Sequence, residues 1–373
     1  MIITNRNNNL SLRDLNTQDK EKGASLRLVA WEVTRKCNLN CVHCRAGSER
    51  GPYPGELDTA KCLDILEQIR RVGKPIVILT GGEPILREDI FDLAERGTQL
   101  GLRMVMATNG TLFTPQIIES MKASGIMRVS ISIDGSNESQ HDQFRKVPGA
   151  FKAAMDGIRL LRETGFEFQI NTTVTRHNVE DIKDILDVTV RLGAVAHHLF
   201  LLVPTGRAKD MINQEIDALE YEKLLRWFYN MRDKVPLQLK ATCAPHYYRI
   251  LRQEAHAKGE KVDFDTYGLD AVTRGCLGGT AFCFISHDGI IQPCGYLEQN
   301  CGDLSKSSFE SIWQESEIFN QLRDFAAYKG KCGRCEYLRF CGGCRARAFE
   351  ATGDFMSEEP LCAYQPSGKA AHG

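Results

Sequence analysis

Fourteen cysteines in a 373-residue chain, most of them bunched at short spacings, constrain this sequence more than any other feature. Short spacings suit metal capture, because several thiolates must converge on one small inorganic core. The same cysteines in a secreted mini-protein would read as disulfides. Here the chain is long, and its first 25 residues are polar, without the apolar core of a signal peptide. No apolar run approaches the ~18 residues of a membrane span. These features predict a cytoplasmic protein with no membrane span, its thiols kept for metal. Scattered buried thiols remain the reading for Cys62 and Cys243. With 47 basic against 48 acidic side chains, net charge offers no argument for nucleic acid as a partner.

From about residue 27 to 235, strand-like and helix-like segments alternate. LVAWEV (28–33), PIVILT (75–80), LRMVMAT (102–108), MRVSISID (127–134), FEFQINTTV (166–174) and AVAHHLFLLV (194–203) are the strand candidates. Helical periodicity lies between them, with Asp58 as a plausible N-cap of the first helix. Six near-continuous apolar strands with intervening helices predict an α/β fold, a parallel sheet covered on both faces. A partial (β/α)6 TIM-like barrel is the natural architecture. Polar and glycine residues follow the strand ends (TGGEP, TNG, DGS, PTG), at the rim where parallel α/β folds bind ligands. The domain organisation expected is a flexible 1–25, a barrel over 26–235, a helical connector over 236–274, a small cysteine-rich domain over 275–366 and a tail over 367–373.

Cys37-x3-Cys41-x2-Cys44 supplies three thiolates from one short loop after the first strand. Three ligands on a four-iron cubane leave one iron open to a substrate or cofactor. A Cys3His zinc loop through His43 is the plain alternative. The motif resembles the signature of the radical S-adenosylmethionine (SAM) superfamily, and Gly81-Gly82-Glu83-Pro84 after the second strand resembles its GGE motif. The resemblance implies that Gly81, Gly82, Glu83 and Pro84 bind the methionine amine of SAM, with Glu83 accepting from the ammonium. It further implies contacts from Ser132, Asp134 and Arg145, and ribose or adenine contacts from Asn171 and Leu202. An ordinary turn at Asp134-Gly135 and a salt bridge at Arg145 are the alternatives. The implied chemistry is one-electron cleavage of SAM to methionine and a 5′-deoxyadenosyl radical, which takes hydrogen from substrate.

The later cysteines run Cys276-x12-Gly289-x4-Cys294, then Cys332-x2-Cys335-x5-Cys341-x2-Cys344, then Cys362. This resembles the SPASM extension of radical SAM enzymes, except that the final pair is usually spaced by three residues. The resemblance implies two auxiliary [4Fe–4S] clusters, so three in all. One takes Cys276, Cys294 and Cys344, with Cys283 as fourth ligand and Cys301 as rival. The other takes Cys332, Cys335, Cys341 and Cys362. A zinc site on Cys332, Cys335, Cys341 and Cys344 is the alternative, but it strands Cys276, Cys294 and Cys362.

HDQFRKVPGAF, QINTTVTRHN, LVPTGRA, CAPHYYR and CGGCRARAFEATGD resemble the tetrapyrrole-processing radical SAM enzymes over about residues 26 to 366. KATCAPHYYRILRQ, TRGCLGG and IIQPCGYLE are most like the heme b synthase group, which decarboxylates Fe-coproporphyrin III. The implied partners are an iron tetrapyrrole and an external electron donor and acceptor. Candidate anchors for its carboxylates are Arg176, His177, Arg207, His246, Tyr247, Tyr248 and Arg249, although Tyr-Tyr-Arg on a helix is often packing. Other readings are a didecarboxysiroheme deacetylase, a heme d1 biosynthesis enzyme, a peptide-modifying SPASM enzyme and a non-catalytic iron–sulfur carrier.

Overall fold

The computed structural model describes residues 25–367; the expected N-terminal segment and C-terminal tail lie almost wholly outside the described residues. Six parallel strands appear where the apolar runs predict them: β1 (Leu28–Thr34), β2 (Ile76–Gly81), β3 (Arg103–Thr108), β4 (Val129–Ser132), β5 (Phe168–Val174) and β6 (Ala196–Leu201). They pair in sequence order. Helices Thr59–Val72 (α1), Ile90–Gln99 (α2), Pro115–Ala123 (α3), Glu138–Arg145 (α4), Ala150–Glu163 (α5) and Ile182–Leu192 (α6) connect them. Asp58 caps α1 by accepting from Lys61 N at 2.8 Å. Alternate residues on the strands, such as Val29, Trp31 and Val33, are buried in one continuous core with the inner faces of these helices. The architecture is the expected partial barrel, and every barrel strand ends on the same rim.

Four strands extend the sheet beyond the six expected, one on the β6 edge and three on the β1 edge. Gln238–Thr242 forms β7, parallel to β6, inside the stretch expected to be a helical connector. Pro236 breaks no helix but lies in the turn between one, Ala218–Met231 (α7), and this strand, and the burial of Leu239 and Ala241 but not their neighbours gives period two over only five residues. His246–Ala257 (α8) follows.

On the other edge, Phe282–Ile285 (β8) lies parallel to β1, with Leu28 opposite Phe282 and Trp31 opposite Ile285. Ile290–Gln292 (β9) and Gly302–Asp303 (β10) add antiparallel. The sheet order is β10-β9-β8-β1-β2-β3-β4-β5-β6-β7. The cysteine-rich segment therefore begins as part of the barrel's own sheet. Helices Phe309–Glu315 (α9), Glu317–Arg323 (α10) and Arg345–Thr352 (α11) complete the chain's longer elements.

Candidate functional site

The loop after β1 carries Cys37 and Cys41, both buried, and the half-buried Cys44. Each sulfur accepts one N–H: Cys37 from Leu39 N at 3.4 Å, Cys41 from Arg145 Nη1 at 3.4 Å and Cys44 from Ser48 N at 3.3 Å. Such donors stabilise thiolates that ligate iron. Burial pushes the Cys37 thiol up to about 12 and raises Cys41 as well. Thiolates here are therefore costly unless a metal takes their charge.

Gly81 and Gly82 pack against this loop. A Cβ on Gly81 would stand 2.2 Å from Thr34 O, and one on Gly82 2.4 Å from Lys36 O and 2.5 Å from Arg35 O. Neither glycine has a left-handed φ; the requirement is close approach of two backbones. Gly82→Ala is expected to push the Cys37 loop off the strand end and to cost about four iron atoms per chain in reconstituted protein. Unchanged iron would show that the loop tolerates the shift.

Glu83 is fully buried, and its carboxylate accepts from the Thr108 hydroxyl and Asn109 N, each at 2.8 Å, and from Ile85 N at 3.3 Å. A carboxylate has about four acceptor positions, so one remains. Burial raises Glu83 to about 7 against the pull of these donors. Pro84 starts a short 3-10 turn.

Asp134 and Arg145 form a buried ion pair, and Asp134 also accepts from Thr173 N at 2.7 Å. The guanidinium is thus shared between Asp134 and Cys41, while its Nε has no partner. The salt-bridge alternative for Arg145 is what the structure contains, and the pair joins the cysteine loop to β4 and β5. Ser132 ends β4, and Asn171 accepts from Gln169 on β5 at 3.0 Å. Leu202 is buried just past β6.

The tetrapyrrole anchors scatter. Arg176 and His177 are exposed beyond β5, with His177 stacked on Phe144 at 5.8 Å between ring centroids. Arg207 instead clasps the cysteine loop, donating to Cys41 O at 2.9 Å and Ser48 O at 3.0 Å. His246, Tyr247, Tyr248 and Arg249 are all buried on α8. Tyr247 packs edge-on against Tyr248 and Phe228, and Arg249 pairs with Glu222. Packing explains the two tyrosines and that arginine, since no surface is left for a carboxylate.

The C-terminal cysteines fall into two groups. Cys332, Cys335, Cys341 and Cys362 line one cavity that is partly open to solvent. Cys332 accepts from Glu359 N at 3.4 Å and Arg345 Nη2 at 3.5 Å, and Cys341 from Gly343 N at 3.5 Å. Cys276 and Cys344 lie close enough to Cys294 for their charge to help raise its thiol, and Cys276 acts on Cys344 in the same way.

Cys283 is not among them. It sits on the core face of β8, fully buried, with Cys301 as its cysteine neighbour. Cys301 faces the same core and its thiol turns toward Gln299 O. The strand's alternation aims Cys283 inward, away from the group it was expected to complete.

Cys243 lies with that group instead. It packs with Cys294 and Cys344 in one apolar cluster, and burial together with Cys344, Cys294 and Cys276 raises its thiol far above the ordinary range. Its φ of 54° is left-handed, an unusual conformation for cysteine.

Among the described residues, no three His, Cys, Asp or Glu side chains close around a single-ion site. A tetrahedral zinc would need its thiolates at such close quarters, whereas a cubane holds them further apart. The wider grouping, the N–H donors to sulfur and the cavity fit iron–sulfur clusters.

Two buried networks escaped the sequence. Glu32 on β1 pairs with Arg45 of the cysteine loop, with Arg35 at 2.9 Å, and with His287 of the β8–β9 turn at 3.1 Å. Burial would raise Glu32, but these partners hold it at about 2. Arg347 on α11 pairs with Glu359 at 3.2 Å and donates to Leu202 O at 2.8 Å and Cys243 O at 3.2 Å.

A cysteine loop at the mouth of a partial parallel barrel, backed by a glycine–glycine–glutamate turn, defines the radical SAM class. The Radical SAM superfamily model matches residues 31–189, and the SPASM model, an iron-sulfur cluster-binding domain, matches 276–344. The chain belongs to the radical SAM enzymes that carry a SPASM domain, and SAM and iron–sulfur clusters are their cofactors. It is 56% identical to an AdoMet-dependent heme synthase of Nitratidesulfovibrio vulgaris over 91% of this chain and 93% of that one. It is 51% identical to one of Methanosarcina barkeri over 92% and 98%. Streptococcus suis SuiB shares the fold, with a TM-score of 0.72 at 18% identity over 91% of this chain and 78% of that one. Among the described residues no helix is long and apolar enough to cross a membrane.

Proposed function

We propose that the chain oxidatively decarboxylates two propionates of Fe-coproporphyrin III to vinyl groups, giving heme b. The observation that carries this reading is the 51% and 56% identity, over nine-tenths of the chain, to AdoMet-dependent heme synthases. The cysteine groups, arranged for more than one cluster, support it. When bound, the first cluster and SAM supply an electron and a 5′-deoxyadenosyl radical. Loss of one hydrogen atom from a propionate β-carbon lets the carboxylate leave as carbon dioxide, forming the vinyl and one excess electron. That electron needs an acceptor, which gives the C-terminal cysteines a purpose.

Cys37, Cys41 and Cys44 hold the SAM-cleaving cluster in this reading. Backbone at Gly81 and Gly82 and the remaining acceptor position of Glu83 receive the methionine amine, with Pro84 fixing the turn. Arg145, through its unpartnered Nε, meets the SAM carboxylate, while Asp134 holds it in place. Ser132, Asn171 and Leu202 line the ribose and adenine side. Arg176 and His177 remain as exposed anchors for substrate propionates. The barrel over 26–235 and the cysteine-rich domain over 275–366 work as one body joined through β8. An external donor and acceptor complete the electron route.

Three clusters are proposed, with Cys243, Cys276, Cys294 and Cys344 as the first auxiliary ligand set and Cys332, Cys335, Cys341 and Cys362 as the second. Cys243→Ser is expected to change the spectrum of one auxiliary cluster or remove about four iron atoms per chain, whereas Cys283→Ser leaves iron intact. The reverse result would return Cys283 to the ligand set.

Glu83 also makes SAM binding pH-dependent. It is protonated below about 7, and an ammonium requires the ionised form. Affinity therefore rises with pH. Between pH 5.5 and 7, below the titration of the ligand's own α-amino group, the dissociation constant should tighten on the order of tenfold. Glu83→Gln should flatten the curve in anaerobic calorimetry; a flat wild-type curve would detach Glu83 from the ammonium.

The reaction itself is tested by giving anaerobically reconstituted protein Fe-coproporphyrin III or didecarboxysiroheme, with SAM and a reductant. Mass loss of two decarboxylations from the first supports the proposal. Acetate loss from the second would replace it with the deacetylase reading.

A further inference from the structure

His246 opens α8 three residues after Cys243, and it is buried to 1% exposure. Neither ring nitrogen has a hydrogen-bond partner. A buried donor or acceptor left without a partner is destabilising, so such a residue calls for an explanation. Its ring packs edge-on against Tyr221 at 4.7 Å between centroids. It also lines the cavity walled by Cys332, Cys335, Cys341 and Cys362.

The other cationic side chains around that cavity are committed elsewhere. Arg249 is held by Glu222 and by Gln253 Oε1 at 2.7 Å. Lys331 Nζ donates to Cys362 O at 2.8 Å. Arg345 donates to Phe355 O, Ser357 O and Cys332 Sγ. His246 alone among these four keeps its full hydrogen-bonding capacity for whatever fills the space between the cysteines.

We propose that an imidazole N–H of His246 donates a hydrogen bond to a sulfur of the second auxiliary cluster and raises that cluster's reduction potential. The inference rests on the reading that Cys332, Cys335, Cys341 and Cys362 hold a cluster. Either neutral tautomer carries one ring N–H, so no change of protonation is required. One-electron reduction adds a negative charge to the cluster, and a donor aimed at sulfur stabilises that charge. The bond favours the reduced form of that cluster, one of the two the proposed reaction offers for its excess electron. The segment Cys243-Ala244-Pro245-His246 then serves both auxiliary groups at once.

Full-length protein is reconstituted anaerobically as wild type, His246→Phe and His246→Gln. Iron content and EPR-monitored redox titrations are measured on the same samples. The expected result is unchanged iron, one auxiliary potential shifted lower in His246→Phe, and a return toward wild type in His246→Gln, which restores an N–H. Intact clusters with unchanged potentials in His246→Phe overturn the inference and leave the cluster reading standing. Equal shifts in both variants, or loss of iron in His246→Phe, overturn it in favour of packing or ligation. Wild-type protein without auxiliary iron overturns both readings. Should His246→Phe fail to fold, pulsed EPR of wild type labelled with 15N-histidine decides. A weak histidine nitrogen coupling on an auxiliary cluster, absent in His246→Gln, is expected, and no coupling overturns the inference.

Discussion

Cys41→Ala is expected to abolish 5′-deoxyadenosine formation while the protein keeps about eight of its iron atoms. The loss should be at least ~10⁶-fold, the lower end of what enzymes contribute over uncatalysed reactions. Two features make Cys41 the most sensitive position. Its sulfur accepts from Arg145, and that arginine is held by Asp134. Removing the thiol therefore takes away a ligand and unpairs one guanidinium nitrogen. Anaerobic product assay by liquid chromatography, beside iron and sulfide analysis, reads both effects. Persistent SAM cleavage would refute the assignment of the first loop. Loss of all iron would mean that the C-terminal groups depend on the first cluster to assemble.

Arg347→Met is expected to destabilise the chain by roughly 3–5 kcal/mol, the cost of leaving one partner of a buried ion pair uncompensated. Glu359 is fully buried, and Arg347 is its guanidinium partner at 3.2 Å. The same guanidinium gathers the carbonyls of Leu202 and Cys243, so its loss loosens the end of β6, the turn before α8 and α11 together. Thermal unfolding followed by circular dichroism, with limited proteolysis near residue 243, measures the effect. The double change Arg347→Met with Glu359→Leu should recover part of the loss, because the fully buried carboxylate is gone and only the partly buried Glu215 is left without its partner. An Arg347→Met protein as stable as wild type would show that water reaches the pair.

The barrel was legible because both-face burial writes each strand as an apolar run and each helix as a period. Cys37, Cys41 and Cys44 were legible because their spacing is local. Cys243 was not, since it stands 33 positions before Cys276 and looks like one more core thiol. Cys283 lies between two ligand candidates in sequence, but the structure places it on β8 facing the core, a placement its sequence neighbours do not announce. Arg207 reads in sequence as an anchor for a substrate carboxylate, yet its partners are backbone carbonyls more than a hundred residues away. Glu32 with Arg45, and Arg347 with Glu359, form contacts that no periodicity announces. β7 was hidden by its five-residue length and by Pro236, which fits a helix break equally well.

The pairing of β1 with β8 has a consequence for biosynthesis. β1 precedes every other described strand in the chain, but the strand that covers its outer edge is encoded some 250 residues later. Until then the nascent barrel carries an open edge of Val29 and Trp31 backbone, the kind of edge that templates association between chains. Contacts of such long sequence separation also form slowly. Correct assembly therefore demands that the nascent chain be kept from its neighbours until β8 has been made, and a chain truncated before residue 282 should aggregate rather than yield a soluble barrel.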